Sequence, residues 1–158
     1  MNITPKAITV SGTVVANKVY DGNTTATLSG GNLVGVEAAD VVNVVLAQSA
    51  TFADKNAGTA KAVNVASNIS GTQASNYSLQ AITGLGADIN KAPLTVTANN
   101  ASKTYGDANP TLSTTVSGFV NGETLGTSGV AGTGAATTTA TTTTAAGSAV
   151  ITAGVGSL

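Results

Sequence analysis

The sequence lacks cysteine, histidine, tryptophan and arginine altogether. Without Cys there is no disulfide and no thiol chemistry; without His or Cys the usual zinc ligand sets fall away, and so does any His-based catalytic triad. Charge is scarce as well. Only 8% of the 158 residues are charged, with six lysines against seven carboxylates and a net charge of −1. An average soluble domain carries about 25%. Nucleic-acid binding relies on a basic patch, and six scattered lysines supply none. The same scarcity argues against a polybasic membrane contact. No apolar run nears the roughly 20 residues that cross a bilayer. The run Val41–Ala47 is interrupted by Asn43 and reads as a strand. The segment Met1-Asn-Ile-Thr-Pro5 has no charged and apolar leader pattern, so any export signal is expected outside these residues.

The material that is present suits a β-protein. Hydrophobic residues make up 42%, enough for a core. Thr, Ser, Asn and Gly take the place of charge on the surface, and β-branched Thr packs well on a pleated sheet. Apolar residues alternate with small polar ones: Ile8 and Val10, Val63 and Val65, Tyr77 and Leu79, Leu94 and Val96. That period of two predicts half-buried strands. Asp21-Gly22, Gly30-Gly31, Ser70-Gly71 and Asn121-Gly122 mark turns between them. Gly35 to Asp40 is the one stretch expected to form a short helical turn.

The chain also repeats itself. Ile3-Thr-Pro-Lys-Ala-Ile-Thr-Val10 resembles Ile89-Asn-Lys-Ala-Pro-Leu-Thr-Val96, 86 residues on. Lys18-Val-Tyr-Asp-Gly22 resembles Lys103-Thr-Tyr-Gly-Asp107, 85 residues on. Ala57–Val65 pairs more loosely with Ala146–Thr152. A period this long is a small domain and not a solenoid repeat. The expectation is an all-β chain of two tandem small antiparallel β-sandwiches of the immunoglobulin-like type, over 1–91 and 92–158. A β-grasp-like sheet with one short helix is the alternative. The second unit is expected to lack its last strand or strands, supplied by a longer parent array or by a neighbouring chain. The short joint, stiffened by Pro93, predicts a rod-like tandem.

Six groups of residues carry a family resemblance. Lys18–Leu28, Ala50–Gly58 and Asn76-Tyr-Ser-Leu79 resemble the YDG-type repeat domain. Ala92–Ala98, Lys103–Leu112 and Val116–Glu123 resemble the MBG domain. Both occur in filamentous haemagglutinin-like adhesins and other bacterial surface proteins. The resemblance implies a non-catalytic stalk or spacer repeat at the cell surface or secreted, with neighbouring repeats as its partners. A glycan- or protein-binding adhesion module and a filament subunit completed by strand exchange are the alternatives.

The distinctive positions are Tyr20, Asp21 and Gly22, their counterparts Tyr105, Gly106 and Asp107, and Tyr77. A ligand contact is one reading of them. The bland reading is stronger: Asp bonds back to the chain, Gly adopts positive φ, and Tyr packs with its hydroxyl bonded. No catalytic, cofactor-binding or metal-binding residue is expected, because the carboxylates are too scattered for a calcium loop or a glycosidase pair. A Lys–Asn isopeptide bond would need Lys, Asn and an acid side by side. Thr137–Thr144 reads as a Thr-faced strand.

Overall fold

The computed structural model describes all residues 1–158, and the chain forms two compact units, Met1–Lys91 and Ala92–Leu158. Both are all-β. In the first unit the strands in chain order are β1 (Lys6–Ser11), β2 (Val14–Val15), β3 (Lys18–Val19), β4 (Thr25–Ala26), β5 (Leu28–Ser29), β6 (Asn32–Val34), β7 (Val45–Phe52), β8 (Gly58–Ser70), β9 (Tyr77–Leu79) and β10 (Gly86–Asn90). The second unit holds β11 (Thr95–Ala98), β12 (Thr114–Ser117), β13 (Ala135–Thr138) and β14 (Ile151–Gly154).

The first unit is built on the β7–β8 hairpin, whose register runs unbroken from Val45↔Ser70 to Phe52↔Val63. β7 and β8 sit inside a five-stranded sheet of order β3-β10-β8-β7-β4. A three-stranded sheet of order β6-β1-β9 and the small pair β2-β5 complete the unit. Alternation does what the sequence predicts. Ala50 and Phe52 of β7 are buried while Ser49 and Thr51 are exposed. One core gathers Ala26, Ala50, Phe52, Val63, Ala87 and Ile89, with Tyr20, Val15, Leu28 and Val65 against it. A second gathers Ile8, Val44 and Tyr77, with Leu33, Val36, Ile69 and Leu79 around them. Asp88 sits where the β10–β8 register shifts. Its N–H donates to the Asn17 side chain and its carboxylate accepts from the Ala60 N–H. Side chains therefore satisfy the Asp88 and Ala60 N–H groups at the irregularity.

The second unit is thinner. It contains two antiparallel pairs, β11-β12 and β13-β14, and none of its residues is fully buried. Two-stranded sheets are marginal alone and need a packed face. The unit repeats the first in detail nonetheless. Gly35 has φ +98° and lies against Ala7 and Ile8; Gly118 has φ +100° and lies against Pro93 and Leu94. A Cβ at Gly118 would come within 2.7 Å of the Pro93 carbonyl. Glycine is therefore required there both by its φ and by the close approach of the backbone.

Four expectations change. Two pairings are parallel, β1 with β9 and β10 with β3, so the sheets are mixed and not purely antiparallel. The reason is the long excursion between partners, which lets the chain return in the same direction. Gly35 to Asp40 is not a helix; Asp40 N–H bonds to the Glu37 carbonyl and Asn43 N–H to the Asp40 carbonyl, making consecutive turns. Those turns also take Val41 to Asn43 out of the strand, which begins at Val45. The Thr-rich stretch is strand only to Thr138, after which Thr144 N–H closes a turn on the Thr141 carbonyl.

Ile8 and Leu94 occupy matching positions, but Ile8 is 1% exposed and Leu94 is half-buried. Ile8→Ala should destabilise the first unit by about 2–5 kcal/mol, the transfer loss plus an unfilled cavity. Leu94→Ala should cost the second unit clearly less, since solvent already reaches the site. Urea denaturation of both variants checks the order, and equal losses would contradict it.

Candidate functional site

The most distinctive residues lie on two turns, and each turn is organised by a lysine. In the first unit Lys18 ends its exposed path early, with a side chain only 16% exposed. Its Nζ donates to the Asn23 carbonyl at 3.1 Å, Asn23 Oδ1 at 3.0 Å and the Thr25 carbonyl at 3.1 Å. It also pairs with Asp21 Oδ1 at 2.7 Å. The Lys18 ammonium also lies over the buried ring of Phe52, with Nζ 5.9 Å from its centre. Asp21 in turn accepts from the Asn23 N–H at 3.1 Å, closing an Asx turn over Gly22, whose φ is +80°. Asn23 Oδ1 accepts from the Thr25 N–H at 2.9 Å as well. One ammonium thus ties five consecutive residues into a fixed loop above the first core.

The second unit repeats the device with different partners. Lys103 Nζ donates to the Asp107 carbonyl at 3.0 Å and the Thr141 carbonyl at 2.6 Å. Gly106, φ +93°, donates its N–H to the Thr142 carbonyl, and Asn109 Nδ2 donates to the Ala140 carbonyl. The Thr-rich stretch is therefore the surface on which this turn is seated. A related arrangement holds the β7–β8 connection. Asp54 accepts from the Asn56 N–H at 2.8 Å and pairs with Lys61 at 2.6 Å.

Tyr77 is anchored differently. Its ring is buried in the second core. Its hydroxyl donates to Asp40 Oδ2 at 2.7 Å and accepts from the Glu37 N–H at 3.1 Å. Tyr20 packs against the first core. Tyr105 departs from the packing expectation: it is 65% exposed, because its turn stands over a unit with no fully buried residue. Tyr, Asp and Gly stand out in the sequence, whereas Lys18, Lys103, Asn23 and Asp40 take their roles only in the folded turns. The recurrence of Lys two residues before each Tyr was the available signal for the first two.

The electrostatics follow from these contacts. Lys18 beside Asp21, helped by the Asn23 N–H, holds that carboxyl below the usual carboxylate range. Lys61 and the Asn56 N–H do the same for Asp54. Asp40, accepting the Tyr77 hydroxyl, pushes that phenol above its ordinary range. No three His, Cys, Asp or Glu side chains converge. Lys18, Asp21 and Asn23 have the composition of an isopeptide site, but the protons are in the wrong places. The Lys18 nitrogen is committed to four oxygens and Asp21 is held ionised, whereas amide formation needs a free amine lone pair and a proton-donating acid.

Among known families, the YDG domain model matches residues 4–84, and the MBG domain model of the YGX type matches residues 94–158. No curated protein and no solved structure matches the chain.

Two outcomes are expected. Intact mass should equal the sequence mass, with no loss of ammonia. Stability should fall at both pH extremes. The lowered Asp21 and Asp54 contribute above the ordinary Asp range, near pH 3.9, and their contribution is lost as pH drops through the folded values. The raised Tyr77 contributes below the ordinary tyrosine range, near pH 10, and is lost as pH climbs through the folded value. Urea midpoints against pH should show Lys18→Met flattening the acid limb and Tyr77→Phe flattening the alkaline one.

Proposed function

The chain belongs to the YDG domain family, with a YGX-type MBG domain after it, and from that premise we propose that it is a non-catalytic spacer repeat of a bacterial secreted or surface adhesin. Both domain types are found in surface or adhesin-like proteins. One observation carries the reading. The motif residues that distinguish the family resemblance are spent on the fold itself, with Lys18 and Lys103 each tying a turn to the chain. A turn pinned by its own lysine resists fraying, which a stalk exposed to proteases and tension needs. Its partners in this reading are neighbouring repeats. Its place is outside the cell, where a fold without cysteine is indifferent to redox conditions.

A glycan- or protein-contacting role is favoured by a single feature, the exposed Tyr105. An exposed aromatic ring is the usual platform for a sugar face.

Pulling the protein from its two ends should give discrete unfolding peaks, and Lys18→Met should lower the force of one of them. Smooth extension without peaks would rule out a load-bearing repeat. On a glycan array the expected result is no signal; binding that disappears in Tyr105→Ala would favour the second reading instead.

A further inference from the structure

Two places in the chain join an Asx residue to glycine, Asp21-Gly22 and Asn121-Gly122. Such a pair carries a latent reaction. Glycine has no side chain to shield its amide nitrogen from the side-chain carbonyl carbon of the residue before it. The fold treats the two places differently.

At Asp21-Gly22 the side chain is occupied. Its Oδ1 accepts from the Asn23 N–H at 3.1 Å and pairs with Lys18 at 2.7 Å. Those contacts hold the carboxyl ionised, and a fixed anion is a poor target for a nitrogen nucleophile. At Asn121-Gly122 the side chain is left open. Both residues are exposed, in the strand-free stretch between β12 and β13. Their φ angles are +53° and +71°, and the Glu123 N–H donates to the Val120 carbonyl at 3.0 Å. This is a type I′ turn, the one that Asn-Gly favours. Neither the Gly122 N–H nor the Asn121 side-chain amide makes a hydrogen bond within the protein. A Cβ built at Gly122 would meet no atom within 4 Å. One main-chain bond therefore restrains the pair, and an exposed turn of this kind opens at little cost. No other asparagine precedes a glycine. The side-chain amides of Asn23, Asn76 and Asn99 are also bonded.

We propose that Asn121-Gly122 is a self-modifying site, at which the folded chain converts its own asparagine to aspartate and isoaspartate. The Gly122 nitrogen gives its proton to hydroxide and attacks Asn121 Cγ. The new N–C bond forms, the Cγ–Nδ2 bond breaks, and ammonia leaves with a proton taken from water. Water then opens the five-membered imide. Attack at the side-chain carbonyl gives aspartate. Attack at the main-chain carbonyl gives isoaspartate, whose backbone runs through the extra carbon. Either product adds one carboxylate and takes the net charge from −1 to −2. Isoaspartate also lengthens the turn that the Val120–Glu123 bond closes. Phe119 and Glu123 flank that turn, and both line a cleft of about 260 Å³ with Val116 and Leu125. The change therefore alters the cleft wall, in a unit with no fully buried residue to resist it.

The test incubates the whole folded chain at mildly alkaline pH and follows it by ion-exchange chromatography and peptide mapping. An acidic form should accumulate, faster as hydroxide rises, with its change mapped to residue 121. Isoaspartyl methyltransferase labelling should find isoaspartate there as well as aspartate. Asn121→Gly suits the positive φ and should abolish the acidic form. Asn121→Asp supplies the chromatographic reference for the aspartate product. Earlier modification at another asparagine overturns the proposal, as does isoaspartate at residue 21 of the parent chain. An acidic form that persists in Asn121→Gly overturns it too. So does a folded chain that stays unchanged while the same chain in urea deamidates, since the turn would then protect the site. The reaction is read on the unaltered protein, so its folding is never in question.

Discussion

The pairing of β7 with β8 is the constraint on which the first unit rests. Their common register places Ala50, Phe52 and Val63 in one core and carries Ile69, at the far end of β8, to the edge of the other. A slip of β8 by one residue against β7 would turn Val63 and Ile69 to the opposite face and so disturb both cores at once. Everything else in the unit is assembled against that hairpin. β4 and β10 pair with its two sides, and the Lys18 turn sits above its buried Phe52.

Scarcity of charge gives each lysine a separate job. In a chain with an average charge content an ion pair at the surface is worth little, because many alternatives and water compete. Here Lys18 and Lys61 are largely covered, and their partners are carbonyls and Asx-turn carboxylates that already hold the local backbone. A lysine bonded to main-chain oxygens replaces the water that an irregular loop would otherwise require. The same solution in both units, with different acceptors, separates the device from the loop sequence that uses it.

The contrast between the units shows how much a core depends on one strand. Ile8 and Leu94 follow the same local pattern and meet the same glycine. Ile8 is the more deeply buried because β9, hydrogen-bonded along β1, brings Tyr77 and Leu79 beside it, whereas the hydrogen-bonded partner of β11 is β12. Local alternation sets which face a side chain takes; the number of neighbouring strands sets whether that face is dry.

The sequence by itself determined the strand character, the repeat, the turn chemistry at Asp21-Gly22 and the family. Each of these is written in nearest neighbours or in recurring spacings: period-two alternation, Gly at positive φ, the Lys-x-Tyr recurrence. Tertiary structure alone decided the rest. Gly35 to Asp40 carries no strong local preference, and the need to bring Asp40 under Tyr77 makes it a pair of turns and not a helix. The parallel partnership of β1 and β9 joins residues about seventy positions apart, which no local pattern encodes. Lys18 looks like any surface lysine until Asn23 and Thr25 fold back around it. Tyr20 and Tyr105 share a motif, and only the presence or absence of a packed core beneath them makes one a core residue and leaves the other in solvent.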